Sequence, residues 1–145
     1  MPVAGFSVGH DVTVTVVNPL TGAIITFGNI TDFESQEETK NVESTPLSAP
    51  PAFGEIPHGW RLAFTVDRVD PTVDDFFAAL EQAYWSGINI PGGTVMEYIQ
   101  EKNGTVTQYT YVGVAFKLDN AGAKRSQDKV TMKVTARASQ RIKVV

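Results

Sequence analysis

Four prolines (Pro46, Pro50, Pro51 and Pro57) and five glutamates fall within residues 34–59, a run of 26 residues with few apolar side chains. Proline fixes φ and lacks an N–H, so the Pro50-Pro51 pair blocks helix and interior strand alike. No regular core element is predicted there. Connections longer than ~12–15 residues are uncommon inside a compact domain and are usually functional or disordered. A floppy surface insertion is one reading. Against it, Leu47, Phe53, Ile56 and Trp60 are spaced through the far end, and a solvated loop does not need such anchors. They mark an arm that docks onto something.

Around this arm the chain reads as β. Residues 12–17 alternate Val and Thr, a period-2 pattern of β-branched side chains. Residues 18–22 form a turn and 23–27 the return strand of a hairpin, with 30–34 as a short further strand. Residues 60–69 predict a long strand, with Trp60, Leu62, Phe64 and Val66 on one face and Arg61, Thr65 and Asp67 on the other. Residues 72–86 predict the one good helix. Val73, Phe76, Phe77, Leu80 and Tyr84 fall at helical spacing, Asp70 or Thr72 is the cap, and Gly87 is the terminator. Strands at 94–101 and 105–118 flank an Asn103-Gly104 turn. After a turn at 119–122, extended to 127, a last strand runs over 129–144 with a break at Ala138-Ser139. About seven strands and one helix result. The expected fold is mainly β, an antiparallel sandwich or barrel with one flanking α-helix and a long extended loop. At 145 residues the chain makes a single domain, 1–145.

The side-chain inventory removes most chemistry. There is no cysteine, which excludes a disulfide framework, a thiolate zinc site and a cysteine nucleophile. The only histidines are His10 and His58. His10-Asp11 resembles a base with its orienter, but adjacent strand residues point to opposite faces. Asp74-Asp75 suits the first turn of a helix, where acidic residues offset the dipole. Strand-end and cap roles account for Asp67 and Asp70, turn formation for Gly92-Gly93, and a loop position for His58. No catalytic residue, cofactor or metal ligand is assigned, and the chain is not expected to be an enzyme. A carbohydrate-binding β-sandwich stacking sugars on Trp60, Tyr84 or Trp85 is a competing reading; core or interface roles are commoner for such residues. The amino terminus lacks the charged start and apolar run of a signal peptide, and no stretch approaches the ~20 apolar residues of a membrane span. A soluble protein folded in a cytoplasm is expected.

Charge is uneven. Residues 119–145 hold seven Lys or Arg against Asp119 and Asp128, a net of +5, so the remainder carries −9 of the overall −4. In the last strand Val130, Met132, Val134, Ala136 and Ala138 share one parity. Lys129, Thr131, Lys133, Thr135, Arg137, Ser139 and Arg141 share the other. A solvated sheet face, a nucleic-acid contact, and a surface meeting the acidic arm of an identical subunit all fit this stripe. The second lacks interleaved aromatics for base stacking. The third is a head-to-tail contact between different patches of identical subunits.

The order of segments resembles the tail tube proteins of bacteriophages and the related haemolysin-coregulated protein of type VI secretion. The matching features are the 12–27 hairpin, the 34–59 arm, the 60–69 strand, the 72–86 helix, the 94–118 hairpin and the long terminal strand. The resemblance implies a small β-barrel or sandwich that assembles into hexameric rings, stacked as a hollow tube that conducts DNA. It implies contacts with further copies, with tail sheath, baseplate and tape-measure proteins, and with DNA only as transient cargo. It implies a place in the virion tail, assembled in the bacterial cytoplasm. A tube-initiator or tube-capping baseplate protein shares the fold. Extended, 26 residues span at most ~85–95 Å and a folded-back hairpin half that, enough to cross to a neighbour. The candidate interface residues are Leu47, Phe53, Ile56, Trp60, Lys129, Lys133, Arg137 and Arg141. The basic strand is expected between subunits or on the outer wall.

Overall fold

The computed structural model describes residues 4–6, 12–25, 29–69 and 71–144. In chain order the elements are β1 (Val12–Val17), β2 (Ile24–Ile25), β3 (Asn29–Ser44), β4 (Ala52–Asp67), α1 (Thr72–Trp85), β5 (Gly93–Gln100), β6 (Val106–Asn120), β7 (Thr131–Ala138) and β8 (Gln140–Lys143). The strands pair antiparallel throughout, in the order β2-β1-β5-β6-β7-β4-β3, with β8 also on β6. The eight-stranded sheet does not close, so the fold is an open sandwich.

One strand makes two layers from this sheet. The first half of β6 pairs with β5 on one side and β8 on the other; from Ala115 onward it pairs with β7. The switch falls at Gly113, whose φ of +63° is in the left-handed region that favours glycine. Opposite it lies the break predicted in the last strand. Ser139 separates β7 from β8, and its N–H donates to the Val112 carbonyl at 2.9 Å. The last segment thus leaves one layer for the other where β6 does.

The core lies between the layers. Val16, Val95, Tyr111 and Val114 come from one side, and Leu62, Phe64, Val66, Met132, Val134 and Ala136 from the other. The predicted parities of β4 and β7 are those observed. Each fully buried aliphatic or aromatic side chain contributes about 1.5–3 kcal/mol. Helix α1 covers this core with Val73 and Phe76, the latter edge-on to Phe116 with ring centroids 5.4 Å apart.

Helix α1 differs from expectation at two points. Pro71 holds the cap position, with no side-chain cap bond, rather than Thr72; Asp70 lies outside the described residues. Tyr84 is exposed, because the buried stripe runs through Val73, Phe76 and Ala83 and has rotated past it. The predicted stop is correct. The Ile88 and Gly87 N–H groups donate to the carbonyls of Ala83 and Tyr84 at 3.0 and 3.1 Å, and Gly87 takes φ +77°. That reciprocal pair closes the helix end.

The 34–59 stretch is the main correction. It is neither a loop nor devoid of regular structure: β3 and β4, each 16 residues long, pair from Asn29↔Asp67 to Ser44↔Ala52, with register shifts after Ile30 and after Glu38. The predicted short strand at 30–34 is the start of this ribbon. Pro46, Pro50 and Pro51 are confined to the tip between the strands. Pro57 sits opposite Thr39, beside a register shift after Glu38, where β7 no longer flanks β4. An edge position of this kind tolerates a missing N–H. The turns at Asn18 and at Asn103-Gly104 form as predicted, while Thr26, Phe27 and the His10-Asp11 pair lie outside the described residues.

Candidate assembly interface

Strand β7 ends at Ala138, opposite Trp60 of β4. Beyond that rung the hairpin continues as a bare two-stranded ribbon, about 25 Å long at ~3.3 Å per residue. Cross-strand partners share a face. Val42 and Ile56 therefore lie on one side of the ribbon and Phe53, Glu43 and Glu55 on the other. The Thr39 hydroxyl donates to Glu55 Oε2 at 2.7 Å across the strands. Phe53 is 73% exposed, Ile56 52%, and Leu47 at the tip is fully exposed. An isolated two-stranded hairpin is marginal in water, and this one carries its large apolar side chains uncovered.

At the root of the ribbon the environment reverses. Trp60 is half-buried and edge-on to Tyr111, with centroids 6.1 Å apart. The Arg141 guanidinium lies 4.4 Å from the Trp60 ring and 3.5 Å from the Tyr109 ring. Glu97 is the one buried charged residue among those described, and the Tyr111 hydroxyl donates to its Oε1 at 3.1 Å. Burial pushes the Glu97 carboxyl above its ordinary value, opposed by the Tyr111 hydrogen bond and the Arg141 charge. Burial likewise pushes the Tyr111 phenol up to about 12. The sequence reading missed this cluster. Its signal was Glu97 itself, on the same parity as Val95 in β5.

The basic stripe is real but shorter than its sequence pattern. Lys133 and Arg137 are exposed on the outer face of β7, in register with Thr65 and Arg61 of β4. Arg137 reaches Glu38 of β3 at 2.6 Å, and Lys129 reaches Asp67 at 3.1 Å. Exposed pairs of this kind are worth about 0–1 kcal/mol. Arg141 does not belong to the stripe. The break at Ser139 carries it onto β8, opposite Tyr111, where it packs on the Trp60 and Tyr109 rings instead.

A third exposed region adjoins α1. Tyr84 and Trp85 pack edge-on to each other at 5.0 Å, both largely exposed, with Ile88 and Ile90 after the helix also exposed. Trp60 is held in the root cluster, so the structure does not bring the three aromatics of the sugar-stacking reading together. Asp67 pairs with Lys129, Asp74 pairs with Arg68 at 2.8 Å, and His58 is the extra residue at the register shift. Among the described residues no cluster of metal-ligating side chains occurs, and no helix is long and apolar enough to cross a membrane.

This open sandwich with one helix over the core shares its fold with solved tail-tube and injection-system tube structures. Comparison with solved structures shows this directly. A chain of the sheath–tube complex of an extracellular contractile injection system superposes with a TM-score of 0.68 at 9% identity, covering 98% of this chain and 93% of that one. The tube-terminating cap of the anti-feeding prophage matches with 0.68 at 8% identity, over 99% and 94%. The SPP1 tail tube matches with 0.60 at 13% identity, over 94% and 78%. Neither a family model nor a curated protein sequence matches the chain. The likeness lies in the course of the backbone and has left little trace in residue identities.

Proposed function

We propose that the chain is a structural, non-enzymatic subunit of a tail tube. Identical copies form rings, hexameric in the reading favoured here, and the rings stack into a hollow tube through which DNA passes. The observation that carries this is the bare hairpin with Leu47, Phe53 and Ile56 uncovered, on a fold shared with tube components. A second copy is the occupant that would cover those side chains. The outer face of β7, with Lys133 and Arg137, complements the net acidic hairpin and is assigned to contacts between copies or with a sheath. Sheath, baseplate and tape-measure proteins are the further partners, in a phage or injection particle assembled in the bacterial cytoplasm. A cap or initiator that forms one ring is the second reading, because a terminating cap superposes as well as the sheath–tube chain.

Negative-stain microscopy of the purified protein over a concentration series tests both. Filaments that lengthen with concentration support the tube subunit. Single rings that never stack support the cap. A lone particle at millimolar concentration refutes both.

A further inference from the structure

The projecting hairpin needs a fixed direction if it is to meet anything in register, yet its root is built to bend. The register shifts between Glu38 and Thr39, leaving His58 unpaired, and Gly59 has φ +121°. A Cβ on Gly59 would stand 2.8 Å from the Ala138 carbonyl oxygen, so glycine is required where the last flanking strand ends. Two strands with an extra residue and a glycine at one rung form a natural pivot.

Arg141 sits at the body side of this pivot. It stands on β8, which belongs to the layer opposite the hairpin. Its guanidinium lies between the ring of Trp60, the first β4 residue inside the pivot, and the ring of Tyr109 on β6. Tyr111 is edge-on to Trp60, and the Glu97 carboxyl accepts from the Tyr111 hydroxyl. A planar cation between two aromatic faces, with a carboxylate nearby, is directional in a way a lysine ammonium is not. We propose that Arg141 is a clamp that locks the root of the hairpin to the opposite layer and sets the direction in which it projects. Its role is therefore within the chain rather than at the subunit interface where its sequence position suggested. The consequence for assembly rests on the tube reading above; the clamp itself does not.

The test uses the full chain with Trp85→Phe, which leaves Trp60 as the only tryptophan. Arg141→Ala and Arg141→Lys are compared with this parent by amide hydrogen exchange and Trp60 fluorescence at concentrations where the protein is monomeric. The exchange of residues 36–38 and 59–61 is expected to quicken about tenfold in Arg141→Ala, the size of a partly desolvated cation–π contact. Core amides such as Val95 and Val134 should stay unchanged, and Trp60 emission should move to the red. Arg141→Lys keeps the charge and should recover only part of the protection; it also serves as the folded variant if Arg141→Ala unfolds. Unchanged root exchange and unchanged Trp60 emission in the folded variants would overturn the clamp. So would a loss of protection spread evenly over the core. If the parent assembles, its critical concentration should rise about tenfold in Arg141→Ala; an unaltered value with loosened roots would overturn the directional role. If the parent never assembles, the tube reading fails while exchange still judges the clamp.

Discussion

Replacing Gly113 by alanine probes the point at which one sheet becomes two. Two costs arise there and they are separable. The φ of +63° places an L-residue in the left-handed region, which costs roughly 1–2 kcal/mol. A Cβ would also stand 2.5 Å from Ser139 Oγ and 3.0 Å from Ser139 Cβ. The hydroxyl can rotate away, but its Cβ moves only with the backbone, whose N–H is bonded to Val112. Overpacking of this kind adds about 1–3 kcal/mol. Gly113→Ala should therefore destabilise by about 2–5 kcal/mol, a Tm loss of roughly 6–16 °C for a chain of this size. Ser139→Gly removes both crowding atoms. In the double variant the crowding disappears and only the φ cost and the glycine's own entropy remain. A urea-denaturation cycle of the parent, both singles and the double should give a favourable coupling of at least ~1 kcal/mol. Gly113→Ala within 0.5 kcal/mol of the parent, or strict additivity, would refute the assignment of this pair as the hinge of the sandwich.

Two further outcomes follow from the same geometry. Burial raises the Glu97 carboxyl, so the folded chain holds that proton more tightly than the unfolded one. Its contribution is intact below the ordinary value of 4.5 and is lost as pH rises from there through the raised folded value. Glu97→Gln keeps an acceptor for Tyr111, so urea midpoints should show it gaining on the parent across that window; a parent that gains on Glu97→Gln as pH rises would contradict the sign. The double change Leu47→Asp with Phe53→Ser touches only exposed side chains, so Tm should hold within the usual ±0.5 kcal/mol of surface substitutions. The assembly concentration should rise tenfold or more, since burying even one such side chain is worth about 1.5–3 kcal/mol; thermal melts read the first number and sedimentation at graded concentration the second.

Much of the body was legible because burial writes itself into sequence. Trp60, Leu62, Phe64 and Val66 alternate with polar residues because one side of β4 meets the core and the other does not. Met132, Val134 and Ala136 repeat that record in β7, and even the break at Ser139 showed as a lapse in it. What stayed hidden depends on partners distant in sequence. The break at Ser139 did not say which way Arg141 would turn, because its partner Tyr111 on β6 lies 30 positions earlier. Glu97 looked like an ordinary strand glutamate until Tyr111 came to lie beside it.

The hairpin failed to read as strand for a different reason. Alternation is evidence of a strand only where one face is wet and the other dry. Beyond Trp60 both faces of the ribbon meet solvent within a single chain, so residues 39–58 carry no period at all. Backbone pairing and the Thr39–Glu55 hydrogen bond hold them, with the prolines kept to the tip and to one edge rung. Yet Phe53 on one face and Val42 and Ile56 on the other are side chains of a buried strand, at a density no solvated ribbon requires. In the proposed tube a neighbouring copy would supply that burial, and because the apolar side chains fall on both faces it would grip the ribbon rather than merely lie against it.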